Sequence, residues 1–333
     1  MTTTTAAPAS RQKSKGSRSA FVTKHFGVLS ISLVFVVLFV FFSVQADAFL
    51  SVDNLVNVLR QIAPTVIVAM AMTFVITTGQ IDLSVGSVLG LSAAALGLWA
   101  SSGSAVLALL LVLVLGLGIG LLTGALTAYG RLQSFIVTLA ALTAVRGVAL
   151  LVTEGYSAPI EAPVITALGQ AKFLGLYVPT WIAIGVVLLA WYVFGKTRLG
   201  RYVVAVGSNA ESLRRAGVDI RKIRMAVLGM TGIAAALAGI LTAARLSSGS
   251  PNSGTMFELE VITAVVLGGT SLMGGRGSII GSAIGALTLG IISNGLVLLG
   301  VDVYWVPIVQ GIILVVAILL NSKIFSRFAG NAA

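Results

Sequence analysis

The sequence contains no cysteine, a single histidine and few charges: 9% of its 333 residues are Asp, Glu, Lys or Arg. Without cysteine there is no disulfide, no iron–sulfur cluster and no thiolate chemistry. The lone histidine, His25, lies beside a basic N-terminal stretch, which excludes a histidine-rich metal site. A soluble domain carries roughly 25% charged residues. One with so few would present an apolar surface and aggregate, so a soluble globular enzyme is excluded. Disorder is excluded as well, except at the ends. What is abundant is apolar, with 57% hydrophobic residues and a mean hydropathy of +1.06. At about 20 apolar residues per helical span, the chain has room for roughly ten spans joined by short loops. The fold class expected is an all-α polytopic membrane protein with about ten transmembrane helices, some of them broken.

Apolar segments run at about 28–44, 55–78, 83–101, 105–129, 134–153, 179–195, 224–246, 258–270, 278–300 and 304–320. They divide the chain into a basic tail, 1–26, a transmembrane unit, 27–321, and a short tail, 322–333. The head of the first tail is expected to be disordered. The first segment is followed by Ala46-Asp47-Ala48, which loosely resembles a signal-peptide cleavage site. It is longer than the usual hydrophobic region of about 7–15 residues and suits an uncleaved anchor. The second segment contains Arg60 and Pro64, so its outer end is expected to kink or to lie in the interface. The eighth is short and ends in Gly268-Gly269, so it is expected not to cross fully; such interrupted segments often line a transport pathway.

The formal charge of +11 is explained by where the basic residues fall. If both termini are cytoplasmic and the spans alternate, every basic residue except Arg60, Arg146, Lys172 and Arg245 lies in an inner segment. That asymmetry follows the positive-inside rule and needs no nucleic-acid partner. Trp99, Trp181, Tyr304 and Trp305 fall at outer ends, while Tyr129, Trp191 and Tyr192 fall at inner ends, as interfacial belts. Arg60, Arg146 and Arg245 either snorkel to an interface or pair inside the bundle. Glycines repeat every fourth residue at Gly116, Gly120 and Gly124, and again at Gly277, Gly281 and Gly285. Such spacing serves close helix packing within a subunit, a subunit interface or a moving gate.

No zinc-protease motif, phosphate loop or nucleophile elbow is present. Acidic residues lie at span ends or in loops, which argues against a carrier driven by its own ion gradient. Two polar stretches stand out. The inner loop 196–224 contains Ser208-Asn209-Ala210-Glu211, which fits a capping box with Ser208 as cap and Glu211 reaching back. Ala210, Leu213 and Gly217 share a face, and Gly217 is placed to end a short stiff helix over 208–217. Asp219 can cap the helix that follows. This loop is either a positive orientation signal or a docking element for a cytosolic partner. The turn containing Gln80, Asp82 and Ser84 either caps the third span through Asp82 or, with Gly268 and Gly269, contributes to a pathway or gate.

These stretches carry a family resemblance. Gly79-Gln80-Ile81-Asp82-Leu83-Ser84-Val85-Gly86-Ser87 resembles the GGIDLSVGS signature of ribose/xylose-type monosaccharide ABC importer permeases, with Gln80 replacing the second glycine. Gly130–Leu139, Val206–Val218 and Val266–Ser278 resemble further family blocks, in the same order, over about residues 27–321. The resemblance implies a non-catalytic permease subunit in the bacterial cytoplasmic (inner) membrane, multi-pass, with cytoplasmic termini. Its implied partners are a second permease copy, two cytosolic ATP-binding subunits, an extracytoplasmic sugar-binding protein and a sugar substrate. This chain would bind no cofactor, ATP being held by the partner subunits. Alternating access would move a small neutral sugar, pentose or hexose. The coupling residues implied are Ser208, Asn209, Glu211, Leu213, Arg214 and Gly217, with Leu213 filling an apolar hollow on the ATPase and Glu211 and Arg214 pairing at its rim. The alternative is a secondary carrier of sugar or another small solute, working without an ATPase.

Overall fold

The computed structural model describes residues 16–102 and 104–329, with side chains over 28–100 and 104–319. The chain is a helical bundle: α1 (Gly16–Gln45), α2 (Val52–Thr77), α3 (Val85–Ser102), α4 (Ala105–Ala128), α5 (Ser134–Thr153), α6 (Pro163–Gln170), α7 (Val178–Lys196), α8 (Arg198–Arg215), α9 (Ile220–Leu246), α10 (Phe257–Leu267), α11 (Ile279–Leu298) and α12 (Trp305–Ala329). Strand content is minimal. β1 (Ala158–Pro159) pairs antiparallel with β4 (Ser248–Gly249), and β2 (Lys172–Phe173) with β3 (Leu176–Tyr177). The β2–β3 turn places Leu174 and Gly175 at positive φ, as a two-residue hairpin turn requires.

Among the described residues, seven helices are long and apolar enough to cross a membrane: α1, α2, α4, α5, α7, α9 and α11. Shorter apolar helices run over Val85–Ala100 in α3 and Trp305–Leu319 in α12. The eighth segment forms α10, whose 11 residues span about 16 Å, roughly half of a hydrocarbon core of about 30 Å. α1 begins at Gly16, so helix replaces part of the expected tail, and α12 likewise extends to Ala329. The head of the first tail, 1–15, and residues 330–333 lie outside the described residues.

In the second span, α2 runs as one continuous helix through Pro64. Proline deprives one carbonyl of its helical donor, but α2 is the central helix, buried at every position from Ile62 to Thr77. Around it, α9, α10 and α11 form the main core, with Phe74, Ile67, Met70, Met72, Leu228 and Leu241 fully enclosed. A smaller cluster joins α3, α4, α6 and α9.

The glycine repeats serve packing between helices of this chain. A methyl group on Gly120 would stand 2.4 Å from the Leu228 carbonyl oxygen, and one on Gly116 2.5 Å from that of Gly232, so α4 and α9 touch backbone to backbone. Gly281 and Gly285 bring α11 equally close to Gly268 and Ala264 at the end of α10. In lipid, where apolar surface gains little from burial, such close van der Waals contact holds helices together.

Candidate functional site

The 196–224 segment is almost wholly helical but bends once. Thr197 caps the start of α8 by accepting from the Gly200 amide. The backbone leaves helical geometry at Asn209, with φ −159° and ψ 91°. There the Asn209 side-chain oxygen accepts from the Ser212 amide at 2.9 Å and caps a second short helix, which ends at Arg215. The expected capping box is therefore corrected. Ser208 Oγ turns back to donate to the Val204 carbonyl at 2.9 Å, closing the first piece. With Asn209 as N-cap, Glu211 falls at the second helical position, one short of where it would reach back. It pairs instead with Arg214 at 2.9 Å and Arg215 at 3.2 Å. The hydrogen bond from Arg214, followed by that from Arg215, holds the Glu211 carboxyl below the usual glutamate range.

Gly217 ends the piece as expected. Its φ is +81°; its amide donates to Arg214 O at 3.0 Å and that of Val218 to Leu213 O at 3.3 Å, a Schellman closure. Asp219 caps α9 by accepting from the Arg221 amide at 3.0 Å. Leu213, with Val218, is half-buried against the chain's own core, because the Schellman turn folds Val218 back onto it. The surface left outward carries Asn209, Glu211, Arg214 and Arg215.

Behind this bend three segments meet at backbone contact. The Gly275 amide donates to Thr77 O, the end of α2, at 2.8 Å. A methyl on Gly207 would stand 1.9 Å from that same carbonyl and 2.3 Å from the Gly275 nitrogen, and one on Gly274 2.9 Å from the Gly79 nitrogen. The bend in α8, the end of α2 and the α10–α11 loop are thus joined without intervening side chains. Both stretches singled out in the sequence lie at this junction. The same basic end of the bundle places Arg221 over the Tyr129 ring.

In the α2–α3 turn, Asp82 is fully buried. Its carboxylate accepts from the Ser84 amide at 2.9 Å, from Ser84 Oγ at 2.6 Å and from Thr231 Oγ1 on α9. Asp82 and Ser84 therefore order the start of α3 and tie it to α9. Gln80 is buried, its Oε1 accepting from Thr78 Oγ1 at 3.2 Å. Gly268 packs on Gly281, and Gly269 takes φ +89° in the turn that ends α10. None of these five residues lines two cavities that lie beside α2. One is an apolar cavity of about 280 Å³ between α2, α7 and α11. The other is a polar cleft of about 100 Å³ between α2, α10 and α11.

Sequence reasoning missed several interior polar groups. Residues 249–258 run back along α3, from Gly97 past Gly90 to Gly86, before α10 begins. Arg146 holds this segment by donating to the carbonyls of Pro251 and Ser253. Glu258, assigned above to a span end or loop, is buried beside Gly86, and Glu260 accepts from Thr65 Oγ1 at 2.9 Å. Acidic residues at positions that read as ends are thereby carried inside, because the chain re-enters the bundle there. Two carboxylates within an apolar eighth segment were the available signal. Of the other arginines, Arg60 donates to Gly169 O at 2.8 Å and lies over the Tyr177 ring.

The family described as branched-chain amino acid transport system / permease component matches residues 54–318. The chain belongs to this permease family. The ribose import permease protein RbsC of Escherichia coli strain K12 is 42% identical over 298 residues, covering 87% of this chain and 92% of that protein. RbsC of Bacillus subtilis is 40% identical over 297 residues, covering 86% and 90%. The L-arabinose ABC transporter permease protein AraH of Azospirillum brasilense is 35% identical over 292 residues, covering 87% and 86%. No solved structure matches the chain. The family match takes in the α8 bend, the α2–α3 turn and the α10–α11 loop, and the resemblance drawn from the four motif blocks is borne out.

Proposed function

We propose that this chain is the membrane-spanning permease subunit of an ATP-driven importer that translocates a small neutral sugar by alternating access. It works as a homodimer in the bacterial cytoplasmic membrane, with both termini inside. Two cytosolic ATP-binding subunits drive it, and an extracytoplasmic sugar-binding protein delivers the substrate. The observation that carries this reading is the direct backbone junction of the exposed α8 bend with α2 and the α10–α11 loop. A push on Asn209–Arg215 from an ATP-binding subunit is delivered through Gly207 and Gly275 to the carbonyl end of the central helix. A contact made by backbone atoms does not absorb the motion in side-chain rotamers. The identity to sugar import permeases supports the substrate class. The basic end of the bundle supports the orientation, with Arg131, Arg198–Arg224 and Arg276 on the cytoplasmic side. Leu213 contributes by anchoring the short helix to the bundle, while Glu211, Arg214 and Arg215 face the partner.

The test is uptake of labelled D-ribose, D-xylose, L-arabinose and D-galactose by the native host and by a strain lacking this chain. Loss of uptake of at least one sugar, restored by the wild-type gene, is the expected result. Equal uptake of all four by both strains refutes it.

A further inference from the structure

One face of α2 carries Asn54, Asn57, Gln61 and Thr65, spaced three or four residues apart along a helix that crosses the membrane. Polar side chains in that setting are expensive unless they meet partners or a water-filled passage. Two partners are present. Asn54 and Asn294 of α11 exchange amide hydrogen bonds at 3.0 and 2.9 Å, and Thr65 donates to Glu260 of α10 at 2.9 Å. Between these two bridges lies the polar cleft of about 100 Å³, to which Gln61, Glu260, Ser293 and Asn294 contribute. It is large enough to hold water. The side chains of Gln61 and Ser293 make no hydrogen bond with any of the described residues, and the Glu260 carboxylate receives only the one from Thr65.

This set of groups has the chemistry of polyol recognition. A carboxylate accepts from two neighbouring hydroxyls, while an amide and a serine hydroxyl both donate and accept. Arg60 is engaged with Gly169 and Tyr177, so it does not neutralise an anion in the cleft. Resting on the sugar-import function proposed above, we propose that this cleft is a station of the translocation pathway. There Glu260, Gln61, Ser293 and Asn294 take the sugar's hydroxyls in place of water. The α2 stripe, which ends at Thr65, gives the sugar hydrogen-bonding groups along the first half of that helix.

The test uses the native host with variants replacing the chromosomal copy, at membrane levels checked by immunoblot. Glu260→Gln keeps the acceptor for Thr65 but removes the charge. It should lower the maximal uptake rate by about tenfold, as loss of hydrogen bonds to a charged group implies, with half-saturation still set by the binding protein. Ser293→Ala and Gln61→Ala should change the relative rates for D-ribose, D-xylose and L-arabinose, which differ in the orientation of single hydroxyls. A merely structural role would depress all three rates equally. As a second readout, Gln61→Cys in this cysteine-free chain should react with a small hydrophilic thiol reagent, and transported sugar should slow that reaction at least threefold. If Glu260→Gln fails to accumulate, Ser293→Ala and Gln61→Cys carry the test. Unchanged relative rates together with no protection by sugar, in a host whose sugar uptake depends on this chain, overturn the inference alone. A host whose sugar uptake does not depend on the chain overturns this inference and the sugar-import function together.

Discussion

Replacing Gly207 with alanine tests whether the backbone junction transmits force. The added methyl would stand 1.9 Å from Thr77 O and 2.3 Å from the Gly275 nitrogen, whereas real Cβ contacts essentially never fall under 3.0 Å. Relief requires α8 or the end of α2 to move by about 1 Å, the difference between these separations, in a region packed as tightly as a crystal. Overpacking of this kind costs about 1–3 kcal/mol. The shift also breaks or stretches the Gly275–Thr77 hydrogen bond of 2.8 Å, which adds about 1 kcal/mol. The combined loss of about 2–4 kcal/mol falls on one junction and leaves the distant α4–α9 contact untouched. Insertion and abundance should therefore persist while transport collapses, and ATP hydrolysis in membrane vesicles should no longer respond to substrate. Gly185→Ala is the control, because a methyl there meets nothing within 4 Å. If Gly207→Ala transports and couples as well as Gly185→Ala, the junction is not the transmission point and the coupling argument falls.

Asp82→Ala should destabilise the purified protein by about 2–4 kcal/mol, since it strands the buried amide and hydroxyl donors of Ser84, while Thr231 keeps the Leu228 carbonyl as acceptor. Thermal unfolding in detergent measures this, and a melting temperature within a degree of wild type would contradict it. For topology, a single cysteine at Ser212 should be shielded from an impermeant thiol reagent in intact cells, while one at Leu174, 77% exposed on the β2–β3 hairpin, should label. The opposite pattern would invert the proposed orientation.

The sequence alone determined the membrane class, the position of ten apolar segments and the charged asymmetry of their connections, because these depend on composition along the chain. It also marked α10 as too short and Gly217 and Asp219 as helix boundaries, since such signals act over three or four residues. The cap on the short helix was misplaced by one residue because Ser208, Asn209 and Asp219 are all good caps locally. Only the structure shows that the bend at Asn209 follows the close contact of Gly207 with Thr77 and Gly275, and that Leu213 packs on the chain's own core. Pro64 reads locally as a helix breaker, yet the buried central helix α2 continues through it. Glu258 and Glu260 read as a surface end, and only the return of residues 249–258 along the α3 glycines carries them inside. Tertiary structure decides these points because each depends on a partner up to about 200 residues away, and no pattern of near neighbours encodes which partner will be close.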